Sequence, residues 1–206
     1  MSRQEPTYEE CYALILLQEC LGIFDLELSD RPDIKCNNQF GIEVVSALFE
    51  DEKRLETIYS RKLAGKKTDP IPEGYVETRY FTIHPKMVTE DWMKTSKYDR
   101  SMSDAVELIK KAMDKKSKKV SSYDLETNRL FVFTELCIDE DTLKSIGRDL
   151  YQYTQNTFQV LYILVRDANC LMVCTSDSIS LYYHEKEQFS YSMMAKELWE
   201  GGHVNE

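Results

Sequence analysis

The spacing of apolar residues divides the first part of the chain into one helix and three strands. Residues 7–21 carry apolar side chains at helical intervals, and Thr7 can cap this helix. Residues 23–28 largely alternate apolar and acidic side chains, which predicts a half-buried strand. A second strand is expected to begin near Pro32, because proline is tolerated at the start or edge of a strand, and a third covers residues 40–47.

The rest of the chain alternates further helices and strands. Helical spacing predicts helices over residues 50–67, 103–119, 140–156 and 191–199. Short apolar runs predict strands over residues 129–135, 159–165, 170–175 and 179–184. Residues 68–100 are less regular and hold three of the five prolines, so we expect an insertion there: a lid, a partner-binding loop or an insertion without a function of its own. The pattern predicts one α/β domain over residues 1–206, with a mixed sheet flanked by helices.

The composition is typical of a folded protein rather than a disordered one. Of its 206 residues, 42% are hydrophobic and 30% are charged. No apolar run approaches the roughly 20 residues that a membrane span needs. The first residues lack the basic and apolar stretches of a secretory signal, so a cytoplasmic setting without membrane attachment is expected. The six cysteines are expected to be free thiols, mostly buried.

Charge is unevenly distributed along the chain. The net charge of −10 argues against broad affinity for nucleic acid, which depends on neutralising phosphates. Lysines are nevertheless dense between Lys110 and Lys119, within a predicted helix. Lys111, Lys115 and Lys118 lie away from the apolar stripe of that helix. These three lysines are therefore candidates for contact with a nucleic-acid backbone, although a solvated helix face would show the same pattern.

Two acidic residues stand out because of their surroundings. Asp33 follows Pro32, and Glu43 lies within the apolar run Gly41–Val45. A carboxylate in a buried strand needs a cationic partner, a proton or a metal. Two carboxylates side by side on neighbouring strands suit a hard cation such as Mg²⁺. The sequence therefore predicts that Asp33 and Glu43 converge into one site.

The order of these elements and acids resembles the core of the PD-(D/E)xK nuclease superfamily, in an uncharacterised bacterial and phage-type branch. The resemblance covers residues 7–67 directly, and it makes the strand near residue 130 the next core strand. It implies a restriction-endonuclease-like fold that hydrolyses phosphodiester bonds in DNA or RNA. It further implies that Asp33, Glu43 and the main-chain carbonyl of Val44 bind Mg²⁺ or Mn²⁺, which activates a water for attack on phosphorus.

The chain departs from this family at one position. The family has a lysine two residues after the glutamate, and Val45 stands there instead. Lys35 is the first candidate to replace it, since it follows Asp33 by two residues and would share its face of a strand. Lys115 is the second candidate; Lys118 could also reach in from the basic helix, and Lys53 is a weaker choice. The first helix of the family often adds an acid, for which Glu10 and Glu19 are available.

Two functions follow from these residues. The first is a metal-dependent nuclease in which Asp33, Glu43 and either Lys35 or Lys115 act on the substrate. The second is a catalytically inactive nuclease fold that binds a protein partner, as an inhibitor or accessory factor in phage–host or toxin–antitoxin conflict. Its motivation is the acidity of the chain, because an acidic surface can mimic nucleic acid toward a basic protein. The histidines show no zinc-ligand spacing, which argues against a zinc hydrolase.

Overall fold

A mixed seven-stranded sheet organises the part of the chain that the computed structural model describes. The described residues are 5–37, 39–48, 58, 67, 69–70, 75–77, 83–85, 102–120, 123, 125, 127–134, 136, 139–184 and 187–202. The helices are α1 (Tyr8–Leu21), α2 (Met102–Val120), α3 (Glu140–Thr154) and α4 (Gln188–Gly202). The strands are β1 (Leu26–Leu28), β2 (Ile34–Cys36), β3 (Phe40–Ser46), β4 (Tyr75–Glu77), β5 (Ile83–Pro85), β6 (Thr127–Thr134), β7 (Val160–Val165), β8 (Cys170–Cys174) and β9 (Ile179–Tyr183).

The chain divides into two compact units. The first comprises Met1–Ala47 and Ile109–Glu206 and contains the seven-stranded sheet; the second comprises Leu48–Leu108. In the second unit, β4 and β5 pair antiparallel as a two-stranded sheet. Most of the predicted helix over 50–67 and most of the predicted insertion over 68–100 lie outside the described residues.

The sheet of the first unit combines a meander with parallel strands. Its order is β1-β2-β3-β6-β7-β8-β9. β1, β2 and β3 pair antiparallel, whereas β3, β6 and β7 run parallel to one another. The last three strands, β7, β8 and β9, are again antiparallel. The predicted α/β architecture with a mixed sheet flanked by helices is thereby confirmed.

The two faces of the sheet carry different side chains. On one face, Ile42, Val44 and Phe133 join a core formed with the buried side of α1. α4 covers the same face, where Trp199 meets the Tyr8 ring of α1 edge-on at 6.4 Å between centroids. Because successive side chains of a strand alternate, Glu43 lies on the opposite face. That face receives α2, as the ion pair described below shows.

Most predicted elements are present with bounds within two residues of those predicted, and two differ by three residues. The strand expected over 23–28 is wrong in its first half, because Gly22 ends α1 in the left-handed conformation and Asp25 also has a positive φ of 64°. The extended backbone therefore begins only at Leu26. The terminal helix is longer than the predicted 191–199 and covers Gln188–Gly202.

Two features bear on the environment of the protein. Cys11, Cys36, Cys170 and Cys174 are buried free thiols, and Cys20 is partly buried and free. Within the described residues, no helix combines the length and the apolarity needed to pass through a bilayer.

Candidate active site

Asp33 lies in the bend that precedes β2, and its carboxylate completes the pairing of β2 with β3. The last paired residues of this ladder are Ile34 and Ile42, so the backbone N–H of Val44 lies beyond the end of β2. Asp33 Oδ2 accepts that N–H at 2.7 Å. A backbone donor that loses its strand partner in this way requires another acceptor, and the Asp33 side chain supplies it. This bond holds the carboxylate against β3.

Glu43 is a buried acid in the middle of β3, with 2% of its surface exposed. Its Oε1 accepts a hydrogen bond from the hydroxyl of Tyr123, which follows α2. Its Oε2 lies 2.6 Å from Nζ of Lys116 as an ion pair, but among the described residues it accepts no hydrogen bond of good alignment. The two oxygens of Glu43 therefore have different partners.

Lys116 of α2 brings the two acids together. Its Nζ lies 2.7 Å from Asp33 Oδ2 and 2.6 Å from Glu43 Oε2, and 12% of its side chain is exposed. Burial alone would lower the pKa of this ammonium, but Asp33 and Glu43 raise it above the usual lysine value. The convergence of Asp33 and Glu43 expected from the sequence is confirmed, with a protonated lysine between them.

The position of Lys116 follows from the phase of α2. Ile109, Met113 and Val120 are buried, and their spacing defines the stripe of the helix that faces inward. Lys116 lies three residues after Met113 and four before Val120, so it belongs to the same stripe. Its charge is therefore carried inward rather than into solvent.

The lysines predicted for this role lie elsewhere. Lys35 and Lys115 form no ion pair with either carboxylate in the described part of the chain. Lys35 was expected to share a strand face with Asp33, but Asp33 lies in a bend before β2, where strand alternation does not apply. Lys115 is one residue away from the inward stripe of α2 and is exposed. Lys53 lies outside the described residues.

The lysines predicted to contact nucleic acid are on the solvent side of α2. Lys111, Lys115 and Lys118 are exposed. Lys110 is half-buried, and its Nζ lies 5.4 Å from the centre of the Tyr153 ring of α3. α2 thus presents lysines on its outer surface while it delivers Lys116 to the carboxylates.

The two carboxylates and Lys116 line an open cleft of about 410 Å³, and Glu10 forms part of its wall. Glu10 is held by a capping box at the start of α1, in which its Oε2 accepts the Thr7 N–H at 2.9 Å and Thr7 Oγ1 accepts the Glu10 N–H at 3.2 Å. Burial, and to a smaller extent the nearby Asp33 charge, raise the pKa of Glu10 to about 7. Of the two acids proposed on α1, Glu10 lies at the site, whereas Glu19 is exposed.

The raised pKa of Glu10 predicts a pH-dependent gain of stability in Glu10→Gln. Between about pH 4.5 and 7 the unfolded chain releases this proton while the folded protein keeps it, so folding becomes less favourable as pH rises. Glutamine keeps the capping box without the charge. In EDTA, the free energy of unfolding of Glu10→Gln relative to that of wild type should be higher at pH 8 than at pH 5 by about 1 kcal/mol. This value is reduced for the partial exposure of Glu10.

Urea unfolding at the two pH values measures this difference. Glu19→Gln is the matched control, because it removes the same charge from an exposed position of the same helix. An equal change with pH in both variants would contradict the assignment to Glu10.

The donor atoms of the site suit a small divalent cation. Among the described residues, no group of three or more His, Cys, Asp and Glu side chains is close enough to form a complete metal cage. Mg²⁺, however, is commonly held by one or two carboxylates and keeps several waters. Glu43 Oε2 and Asp33 Oδ2 are both paired with the Lys116 ammonium, at 2.6 and 2.7 Å, so a cation that displaced this ammonium would meet one oxygen from each acid. Val44 lies beyond the pairing with β2 but stays extended, and the N–H and C=O of an extended residue point to the same side of its strand, so the Val44 carbonyl is on the side of Asp33, as its N–H is.

Tyr123 was not anticipated from the sequence. It lies in the short connection between α2 and β6, where its N–H bonds to the Val120 carbonyl at 3.0 Å. No spacing rule directs a tyrosine in a connection toward a strand residue 80 positions earlier. Lys116 could have been found, because it is a lysine on an otherwise apolar helix stripe.

Comparison with known proteins adds no assignment: no family model matches the chain, and neither a curated protein nor a solved structure was found to be similar to it.

Proposed function

We propose that this protein is a metal-dependent hydrolase of phosphodiester bonds in nucleic acid. The observation that carries the proposal is the convergence of Asp33, from the bend before β2, and Glu43, from β3, on the single ammonium of Lys116 within an open cleft. Two carboxylates and a lysine are the groups needed to hold a divalent cation and to stabilise a phosphate that gains negative charge.

The order of the elements supports a restriction-endonuclease-like core. α1 is followed by the antiparallel meander β1-β2-β3; β4 and β5 come next in the chain, then α2, and then β6, which runs parallel to β3. Up to β3 this is the order implied by the resemblance to PD-(D/E)xK nucleases, with Asp33 before β2 and Glu43 in β3; the helix that the resemblance places next, over residues 50–67, lies mostly outside the described residues. Lys116 then supplies from α2 the positive charge that the family carries at the position of Val45.

The charge of the cleft explains why a cation would be required. Its described lining contains five acidic residues and three basic ones, namely Glu5, Glu10, Asp30, Asp33, Glu43, Arg31, Lys116 and Lys119. A phosphodiester entering this cleft would meet a net negative field and be repelled. A divalent cation on the carboxylates would neutralise that excess, and it would supply a bound water of lowered pKa and positive charge for the phosphate.

Different residues would bind the cation, the phosphate and the nucleic-acid backbone. Asp33, Glu43 and the Val44 carbonyl would hold the cation. Lys116 is long and flexible, so its ammonium can shift from the carboxylates to a phosphate oxygen without backbone movement. Lys111, Lys115 and Lys118 on the outer surface of α2 would attract the backbone of the nucleic acid.

Cleavage assays test the proposal directly. Wild-type protein is incubated with plasmid DNA, single-stranded DNA or RNA in Mg²⁺, Mn²⁺ or EDTA. We expect cleavage only with a divalent cation, and its loss in Asp33→Asn and Glu43→Gln. Glu27→Gln, which removes an exposed carboxylate from β1, is the control and should retain activity. Equal cleavage by wild type and both site variants would end the proposal.

A second candidate function is a nuclease-like protein that binds a protein partner without catalysis. The observation that favours it is the same Lys116 ammonium, which neutralises the two carboxylates without any metal. Calorimetry separates the two candidates, because only the hydrolase requires binding of Mg²⁺ or Mn²⁺. Absence of binding at millimolar metal, together with co-purification of a basic protein, would establish the second candidate over the first.

A further inference from the structure

Tyr123 binds one of the two oxygens of the buried Glu43 carboxylate and leaves the other to a different partner. Its hydroxyl donates to Oε1 of Glu43, and Tyr123 lines the same cleft as Asp33 and Lys116. Glu43 cannot turn freely, because 3% of its side chain is exposed and it projects from the middle of β3. The carboxylate is therefore held with Oε1 toward Tyr123 and Oε2 toward Lys116.

The two oxygens differ in their capacity to bind a cation. Oε1 already accepts a charge-assisted hydrogen bond, which a metal ligand on that oxygen would have to disrupt. Oε2 is paired with the Lys116 ammonium at 2.6 Å, and an entering cation would repel that ammonium, whereas it would not repel the neutral phenol on Oε1. A cation entering the site thus meets one available oxygen of Glu43 rather than two.

The number of available oxygens affects which cation is preferred. Ca²⁺ takes six to eight oxygen ligands and often uses both oxygens of a carboxylate. Mg²⁺ requires a compact octahedral arrangement, in which a carboxylate contributes one oxygen and waters complete the set. A glutamate restricted to one oxygen therefore disfavours Ca²⁺ relative to Mg²⁺.

We propose that Tyr123 is a positioning residue that limits Glu43 to one metal-binding oxygen and so makes the site select Mg²⁺ or Mn²⁺ over Ca²⁺. This inference rests on the proposed function, because it presupposes that Asp33 and Glu43 bind a divalent cation. Tyr123 acts only through Glu43, and the hydroxyl is the group responsible.

Calorimetric titration of Mg²⁺, Mn²⁺ and Ca²⁺ into the full chain provides the test. Tyr123→Phe removes the hydroxyl and keeps the ring. We expect the ratio of the Ca²⁺ dissociation constant to the Mg²⁺ dissociation constant to fall by about tenfold, the scale on which partners of metal ligands alter affinity. Tyr153→Phe is the matched control, because it removes a hydroxyl that bonds to Asp114 on the surface, and its ratio should equal that of wild type.

The possible outcomes separate this inference from the proposed function. A fall in the ratio for Tyr123→Phe alone supports the inference. Metal binding by wild type with an unchanged ratio in Tyr123→Phe, or with an equal fall in Tyr153→Phe, overturns the inference and leaves the proposed function intact. Absence of metal binding by wild type overturns both. The ratio is informative because general destabilisation would weaken all three cations together.

Discussion

Lys116→Met is expected to destabilise the metal-free protein by about 3 kcal/mol, because removal of one partner from a buried ion pair leaves uncompensated charge. Here two carboxylates lose the same cation, and Glu43 is almost fully buried. Methionine preserves most of the volume and the apolar stem, so the deficit reports the charge rather than a cavity. Urea unfolding in EDTA at neutral pH measures it.

Added Mg²⁺ provides the second half of this experiment. A cation that binds Asp33 and Glu43 replaces the missing ammonium, so the Lys116→Met protein should regain more stability with Mg²⁺ than wild type does. Its cleavage activity should nevertheless be lower by about 100-fold, because the ammonium that stabilises the charged phosphate is missing. Lys115→Met is the matched control, one position away on the exposed side of α2. Equal destabilisation of the two variants would show that Lys116 does not neutralise the acids.

Gly41→Ala is expected to destabilise the protein by about 2 kcal/mol, within the usual range for an overpacked core. A methyl group at Gly41 would overlap the ring of Pro32 and lie 2.6 Å from Cδ1 of Leu125. A proline ring cannot rotate out of the way, so the segment before β2 must shift. Asp33 directly follows Pro32, so this shift would strain both the hydrogen bond from Val44 N–H to Asp33 and the ion pair of Asp33 with Lys116.

The effect of Gly41→Ala should therefore extend to metal binding. We expect weaker Mg²⁺ binding in calorimetry as well as a lower midpoint in urea unfolding. Gly201→Ala in α4 is the control, because a methyl group there meets no atom within 4 Å. Unchanged stability and metal affinity in Gly41→Ala would contradict the close approach of Pro32 to β3.

The acidic half of the site could be predicted because it depends on local patterns. The apolar run around Glu43 marks a buried strand, and the pair of short strands on either side of residues 36–39 brings Asp33 beside it. The boundaries of α2 and α3 were also accessible, since their apolar stripes are regular. These features require only that alternation and helical spacing continue for several residues.

The basic half could not be predicted by the same reasoning. Strand alternation predicts Lys35, but it fails here because the chain bends at Asp33. The lysine-rich helix predicts Lys115, but the density of lysines does not show which of them faces inward. That depends on the phase of α2 against the sheet, and the buried residues Ile109, Met113 and Val120 determine it. Tyr123 depends on the path of a short connection, for which the sequence offers no periodic signal.

The separation of Lys116 from Asp33 by 83 positions has a consequence for how the protein matures. The β2–β3 hairpin is built from nearby residues and can form early, whereas the ammonium arrives only when α2 has docked. Until then both acids must remain hydrated, because burying Glu43 without a cation is too costly. A nascent chain that has not yet released residue 116 therefore cannot assemble this centre. The three charged groups come together only after synthesis has passed that point and the long-range contact has closed.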